Sequence, residues 1–283
     1  MPGSRRRAAE RAGGGVPWPL AVPAWIGAAF LVVPLVGLVA NAPWTDLARL
    51  LGTASALDAL RLSLISATTA TVVAAVLGIP LAWLLARSTS RWLGLLRALV
   101  TLPLVMPPVA GGVALLYALG RNGLLGRWLD QWFGITLPFT TAGVVVAETF
   151  VAMPFLVLTV EGAFRAADPG YDEAAATLGA SAVVRFWRVT LPLVRPSLVA
   201  GAVLCWARAL GEFGATITFA GSFPGTTRTM PIEIYLQMQT DPRAATALAL
   251  VLVAVSVIVL IALRERAWGA ARAGRRPDLE VAP

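Results

Sequence analysis

The stretch EAAATLGASAVVRFWRVTLP, residues 173–192, lies between two runs apolar enough to cross a bilayer. Upstream, Asp168-Pro169 supplies an N-cap followed by proline in the first helical turn. The run from Glu173 through Ala174 and Ala175 to Leu178 suits a short helix. Gly179 follows where a left-handed residue carries no Cβ clash. Ser181 is placed to cap a second short helix through Val189, and Pro192 discourages its continuation. Two short helices joined at a glycine thus interrupt the apolar sequence. Phe186, Trp187 and Val189 give this segment an apolar side, while Glu173, Arg185 and Arg188 stay in water. Charge and aromatic content alone fit either an amphipathic loop on the inner leaflet or a docking element for a partner protein.

The surrounding composition says what is interrupted. Of 283 residues, 58% are hydrophobic and 13% charged, whereas soluble domains carry about a quarter charged residues. A polytopic membrane protein is expected. Six stretches approach the length needed to span, about 20 residues: 20–40, 62–86, 98–119, 142–160, 198–220 and 245–263. Their length favours helices over barrel strands, which run about 10 residues and alternate in polarity. The fold class expected is therefore all-α and integral to the membrane. The membrane-spanning body covers 18–268, between an Arg- and Gly-rich tail at 1–17 and a disordered tail at 269–283. Arg5–Arg7 and Ala40-Asn41-Ala42 imitate a signal peptide, but the first apolar run exceeds a usual signal core, so an uncleaved helix is expected.

The net charge of +8 is explained by where arginine sits. All 23 basic residues are Arg. With the N-terminus inside, cytoplasmic segments hold 16 of them, outer segments 6, and Arg208 is intramembrane. That bias places both termini and the interruption at 168–192 in the cytoplasm, and removes the case for nucleic acid as a partner. The chain has no His and a single Cys, Cys205, so no imidazole catalysis, disulfide framework or thiolate metal cluster is expected within it. Without Lys, a phosphate-binding Gly-x4-Gly-Lys-Ser/Thr loop is impossible. No catalytic residue, cofactor or metal is assigned.

Inside the fifth stretch, Arg208 and Glu212 share one helical face. A charge there costs about 2.5–3.5 kcal/mol on insertion scales, so neither is expected to face lipid. They are read as a neutralising pair or as part of an anion path. Gly201, Gly211 and Gly214 allow close helix approach. Pro103, Pro107 and Pro108 are expected to bend or interrupt the third stretch, as a gate hinge or a static kink. Glu148 needs a polar partner, and Met153, Phe155 and Cys205 are read as packing.

Spacing separates the two readings of the interruption. Glu173-Ala174-Ala175, Gly179, Val189 and Leu191-Pro192 stand in the register of the signature loop of ABC importer permeases, which the segment resembles; the family usually has Ile at the place of Val189. The resemblance extends over roughly 59–263. Leu102-Pro103-Leu104-Val105-Met106-Pro107-Pro108, Gly120-Arg121-Asn122-Gly123-Leu124-Leu125-Gly126 and Gly211-Glu212-Phe213-Gly214-Ala215-Thr216 look like the sulfate/molybdate branch. Pro224-Gly225-Thr226-Thr227-Arg228-Thr229 with Ile234-Tyr235 is more similar to molybdate permeases.

The resemblance implies a type I ABC importer permease fold with six spans and cytoplasmic termini, in a bacterial inner membrane. It implies a coupling loop at 168–192 gripped by a separate ATPase, present in two copies. It also implies a second permease copy as homodimer partner, lipid around both, and an extracytoplasmic molybdate-binding protein docking on outer loops at 120–139 and 221–242. Arg208, Glu212, Gly214 and Thr216 become candidate pathway residues, and tungstate is a near-isosteric companion cargo. A sulfate or thiosulfate permease, an ion-driven secondary transporter and an intramembrane enzyme are the rivals, in falling order.

Overall fold

The computed structural model describes residues 18–87 and 90–273. The expected tail at 1–17 lies outside them, as do residues 274–283. Residues 269–273, assigned to the C-terminal tail from sequence, continue the last helix.

In chain order, α1 (Trp18–Ala40) and α2 (Leu47–Leu51) precede α3 (Ala54–Arg87), α4 (Arg91–Val105) and α5 (Pro108–Leu119). A loop carrying α6 (Gly126–Phe133) leads to α7 (Thr141–Ala166). The polar interruption contains α8 (Pro169–Thr177), α9 (Ala182–Arg185), a π turn (Phe186–Thr190) and α10 (Leu191–Leu193). Then come α11 (Arg195–Leu210), α12 (Gly214–Phe219), α13 (Met230–Thr240) and α14 (Pro242–Ala273).

Four of these are long and apolar enough to cross a membrane: α1, α3, α7 and Pro242–Ile261 of α14. Of the six apolar stretches expected to span, the third is interrupted, one of the two outcomes expected of its prolines, and the fifth, expected to be continuous, is broken as well. In the third, α4 stops at Val105 and α5 begins at Pro108, with Met106 (ψ 134) and Pro107 (ψ 133) extended. Each of these two residues precedes a proline, whose ring excludes helical backbone in the residue before it. Pro103 lies inside α4, so the interruption belongs to Pro107 and Pro108. In the fifth, α11 ends at Leu210 and α12 starts at Gly214. At its other end α11 meets Ala182–Leu193 at a 75° bend. The second short helix of the interruption, expected to run through Val189 with Pro192 discouraging its continuation, stays helical through the π turn to Leu193. Proline cannot give its amide to an α ladder, and the π turn immediately before it supplies the wider winding.

The core forms around α7. One stripe of α3, including Ser66, Ala70, Ala74, Gly78 and Ala82, is buried and small, which lets two backbones approach. A Cβ at Gly78 would sit 3.0 Å from Val157 Cγ2 and 3.1 Å from Leu156 Cδ2 on α7. From α11, a Cβ at Gly201 would lie 3.2 Å from Thr159 Cβ. Leu85, Leu156, Val160, Cys205 and Leu210 fill the space between the three helices, so Cys205 packs as expected. By contrast, α1 buries no residue. Its 23 residues extend about 34 Å at 1.5 Å per residue, and an all-apolar surface on such a helix matches a lipid environment.

The broken spans meet each other. A Cβ at Gly214 would fall 2.7 Å from Pro108 Cβ, and one at Gly112 would fall 2.8 Å from Ala215 O and 2.6 Å from Thr218 Cβ. Only glycine permits α5 and α12 this approach. Gly112→Ala is therefore expected to destabilise the folded protein by about 1–3 kcal/mol through overpacking. Gly94→Ala has nothing within 4 Å of the added Cβ and should be neutral or stabilising by up to about 1 kcal/mol. Thermal unfolding in detergent compares the two; equal midpoints would contradict this packing.

Candidate functional site

The interruption at 168–192 is built by local rules. Asp168 Oδ1 accepts the Gly170 N–H at 2.9 Å and opens α8, with Pro169 in the first turn. At the other end Gly179 has φ +82. Its N–H donates to Ala176 O at 2.9 Å, and Ala180 N–H donates to Ala175 O at 3.1 Å. These two bonds form a Schellman closure, which satisfies carbonyls at the helix end and requires the left-handed residue. Ser181 Oγ accepts the Val184 N–H and starts α9. The glycine joint and both caps occupy the positions expected from sequence.

The protruding turn is apolar and open. Leu178 is 88% exposed, Val183 68% and Trp187 62%. Glu173, Ala174, Gly179, Arg188 and Pro192 are also exposed, while Ala175, Val189 and Leu191 are half-buried. Phe186 turns inward, with its ring 5.4 Å from Trp83 in an edge-on contact and 6.3 Å from Phe164. Phe186 therefore fastens the segment to α3 and α7, leaving Trp187 outside. Trp83 thus serves as the partner of Phe186 on α3.

Two charged clusters near this end of the bundle were not singled out from sequence. Glu161 Oε1 accepts Arg97 Nε at 2.8 Å and Arg165 Nε at 3.0 Å. Both arginines also donate to the Leu85 carbonyl at 3.0 Å, one of the last carbonyls of α3, which has no partner within its own helix. One carboxylate thereby ties α3, α4 and α7. Nearby, Asp172 lies 3.0 Å from Arg87 Nη1 and 3.4 Å from Arg185 Nε. The i,i+4 spacing of Glu161 and Arg165 was a sequence signal for the first cluster. Nothing local signalled the second, since Arg87 and Asp172 are 85 residues apart.

Among the candidate pathway residues, Arg208 and Glu212 pair at 2.5 Å. Glu212 is 1% exposed and its Oε1 accepts the Ala215 N–H at 2.8 Å. The carboxylate thus caps α12 and neutralises Arg208 together. Arg208 keeps 28% of its side chain accessible, whereas Gly214 and Thr216 are buried. The structure brings this set against the candidate hinge at Pro108, through Gly214. It does not bring Pro103 to the break. Glu148 finds its partner across the core: Ser66 Oγ donates to Oε1 at 2.8 Å. Among the described residues no group of three or more acidic or Cys side chains could hold a metal ion.

Residues 78–268 match the family described as binding-protein-dependent transport system inner membrane component. The chain belongs to that family. Within this inner membrane component family, the chain is 53% identical over 224 residues to the molybdenum transport system permease protein ModB of Mycobacterium tuberculosis, covering 79% of this chain and 84% of that protein. It is 36% identical over 212 residues to the sulfate transport system permease protein CysT of Escherichia coli, covering 74% and 76%. The fold matches a chain from the crystal structure of a bacterial ABC transporter that imports the acidic polysaccharide alginate, with a TM-score of 0.68 at 18% identity, covering 88% and 94%.

The double duty of Glu212 makes a stability prediction. Glu212→Ala leaves Arg208 unpaired and α12 uncapped, and should cost about 2 kcal/mol, less than the roughly 3–5 of a dry pair because Arg208 retains surface. The double variant Arg208→Gln, Glu212→Gln removes the stranded charge and should recover most of that loss. Melting of the purified protein reports both, and a double variant as unstable as Glu212→Ala would refute the pairing account.

Proposed function

We propose that this chain is the membrane-spanning subunit of an ATP-driven importer for molybdate, with tungstate as a second cargo, delivered by an extracytoplasmic binding protein. The observation that carries the cargo assignment is its greater identity to the molybdenum permease than to the sulfate permease. Sulfate transport is the second reading, kept open by the segment Gly211–Thr216 that both branches resemble.

The mechanism assigns no covalent chemistry to the chain. Six passes follow if α4–α5 and α11–α12 each count as one broken span beside the four long helices; the strongly basic segments then fall on one side, with both termini. On that side, α8–α9 is the plug for the ATPase. The exposed Leu178 and Trp187 supply apolar contact, and Glu173 and Arg188 supply charge at its rim. Two ATPases and two permease copies make a symmetric assembly, with each motor gripping one plug. ATP-driven approach of the motors would move the plugs and rock the paired breaks at Pro108 and Gly214, which is how access switches sides. Arg208 meets the passing anion with a charge already shared with Glu212, so an oxyanion is attracted without being trapped. The loops at 120–139 and 221–242 receive the binding protein.

Three measurements on vesicles holding the whole transporter test this reading. Labelled molybdate uptake should require ATP and the ATPase, fall with vanadate, and compete with tungstate more strongly than with sulfate; equal competition by sulfate would move the cargo to the second reading. Gly179→Asp and Glu173→Lys should leave ATP hydrolysis and abolish its link to uptake; full uptake in both would remove the plug. Arg208→Gln should slow uptake at normal membrane levels, and an unchanged rate would exclude Arg208 from the path.

A further inference from the structure

The helix that opens the plug is held in an unusual way. No residue of α8 is buried, so apolar packing does not fix it to the bundle. A cleft of about 470 Å³ lies beneath it, lined by Phe164, Arg165, Asp168, Asp172, Glu173 and Arg87 among others. Asp172 offers one oxygen to each of two arginines: across that cleft Oδ2 lies 3.0 Å from Arg87 Nη1, and Oδ1 lies 3.4 Å from Arg185 Nε of α9. Arg87 is the last residue of α3, and Arg185 the last of α9. The other charges facing the cleft are engaged elsewhere or exposed. Arg165 is bound to Glu161, Asp168 caps α8, and Glu173 is exposed.

We propose that Asp172 is a positioning residue of the transport cycle, the tether through which displacement of α8–α9 pulls on α3. This rests on the plug reading and deepens it. Covalent connection passes motion of α8 back to α7, through Ala167 and Asp168, and onward through α9, the π turn and α10 to α11, but not directly to α3. The Arg87–Asp172–Arg185 bridge adds a second line. It clamps α8 to α9, so that the two short helices move as a unit, and fastens that unit to the end of a 34-residue rod. The rod reaches far into the bundle. Ser66 on α3 donates to Glu148 of α7, and Ser63 Oγ accepts the Met230 N–H at the start of α13 at 2.7 Å. Ser63 stands about 36 Å from Arg87 along the helix. A pull on Arg87 therefore reaches both α7 and α13. Trp83 reinforces the fastening from the same turn of α3, under the Arg87 guanidinium at 5.3 Å and edge-on to Phe186.

Half-exposed ion pairs add little to stability, so the signature of a tether is lost transmission rather than lost folding. In vesicles holding permease, ATPase and molybdate-loaded binding protein, the readout is molybdate delivered per ATP hydrolysed. Asp172→Asn should lower that ratio about 2- to 30-fold, with the hydrolysis rate and melting midpoint near those of the unaltered protein. Arg87→Gln should do the same, and the double variant should be no worse than either alone, because both remove one bridge. Equal falls in uptake and hydrolysis would mark a merely structural role and overturn the tether. A full ratio in Asp172→Asn alongside a collapsed ratio in Gly179→Asp would also overturn it, while leaving the plug intact. A full ratio in both would remove plug and tether together. Should Asp172→Asn fail to assemble, Arg87→Gln decides: a lowered ratio supports the tether, an unchanged one ends it.

Discussion

A helix that stops inside a membrane exposes amides and carbonyls that lipid cannot satisfy, so every break must be closed by protein. This chain breaks its third and fifth apolar stretches and closes the two breaks against one another. The Met106–Pro107 gap is followed by α5, whose missing proline amides remove part of the need for partners. At the Gly211–Phe213 gap, the Glu212 carboxylate caps α12 and takes the Arg208 charge. Glycines at 112 and 214 then allow the two starts to touch. Removing either glycine, the carboxylate or the paired prolines disturbs one shared junction, which makes the centre of the protein a single mechanical element.

The peripheral charges follow a different logic. Glu161 gathers two arginines and a helix-end carbonyl into a fixed knot among α3, α4 and α7. Asp172 links two arginines at an open cleft. The Glu161 side chain is 6% exposed and that of Asp172 18%, and both Glu161 arginines also bind a backbone carbonyl, so the first knot is the more firmly held. Their proximity at the end of α3 places a firmer support beside a more open one.

How much of this could be read from the chain depended on the range of the interactions involved. Apolar length identified α1, α3, α7 and α14, because spanning is a local property of about 20 residues. The caps at Asp168, Gly179 and Ser181 were legible for the same reason, being bonds within five residues. The broken third span was half-legible: three prolines announced trouble, but only the backbone shows that Pro103 is tolerated within α4 while Pro107 and Pro108 end it. The gap at 211–213 was missed because hydrophobicity runs on through it, and its cause is a carboxylate turning back to its own chain. The Glu148–Ser66 and Asp172–Arg87 pairs were out of reach, since each joins residues more than 80 positions apart through the packing of α3 on α7.

The π turn at Phe186–Thr190 has a bearing on the direction in which the elbow faces. One surplus residue in a helical ladder rotates everything before it by about 100° relative to everything after it. The azimuth of Leu178, Val183 and Trp187 around the axis of α11 is thus set by a single inserted position rather than by any particular side chain. Gaining or losing that one residue would turn the same apolar knob to a different side of the bundle without altering any residue of the knob itself.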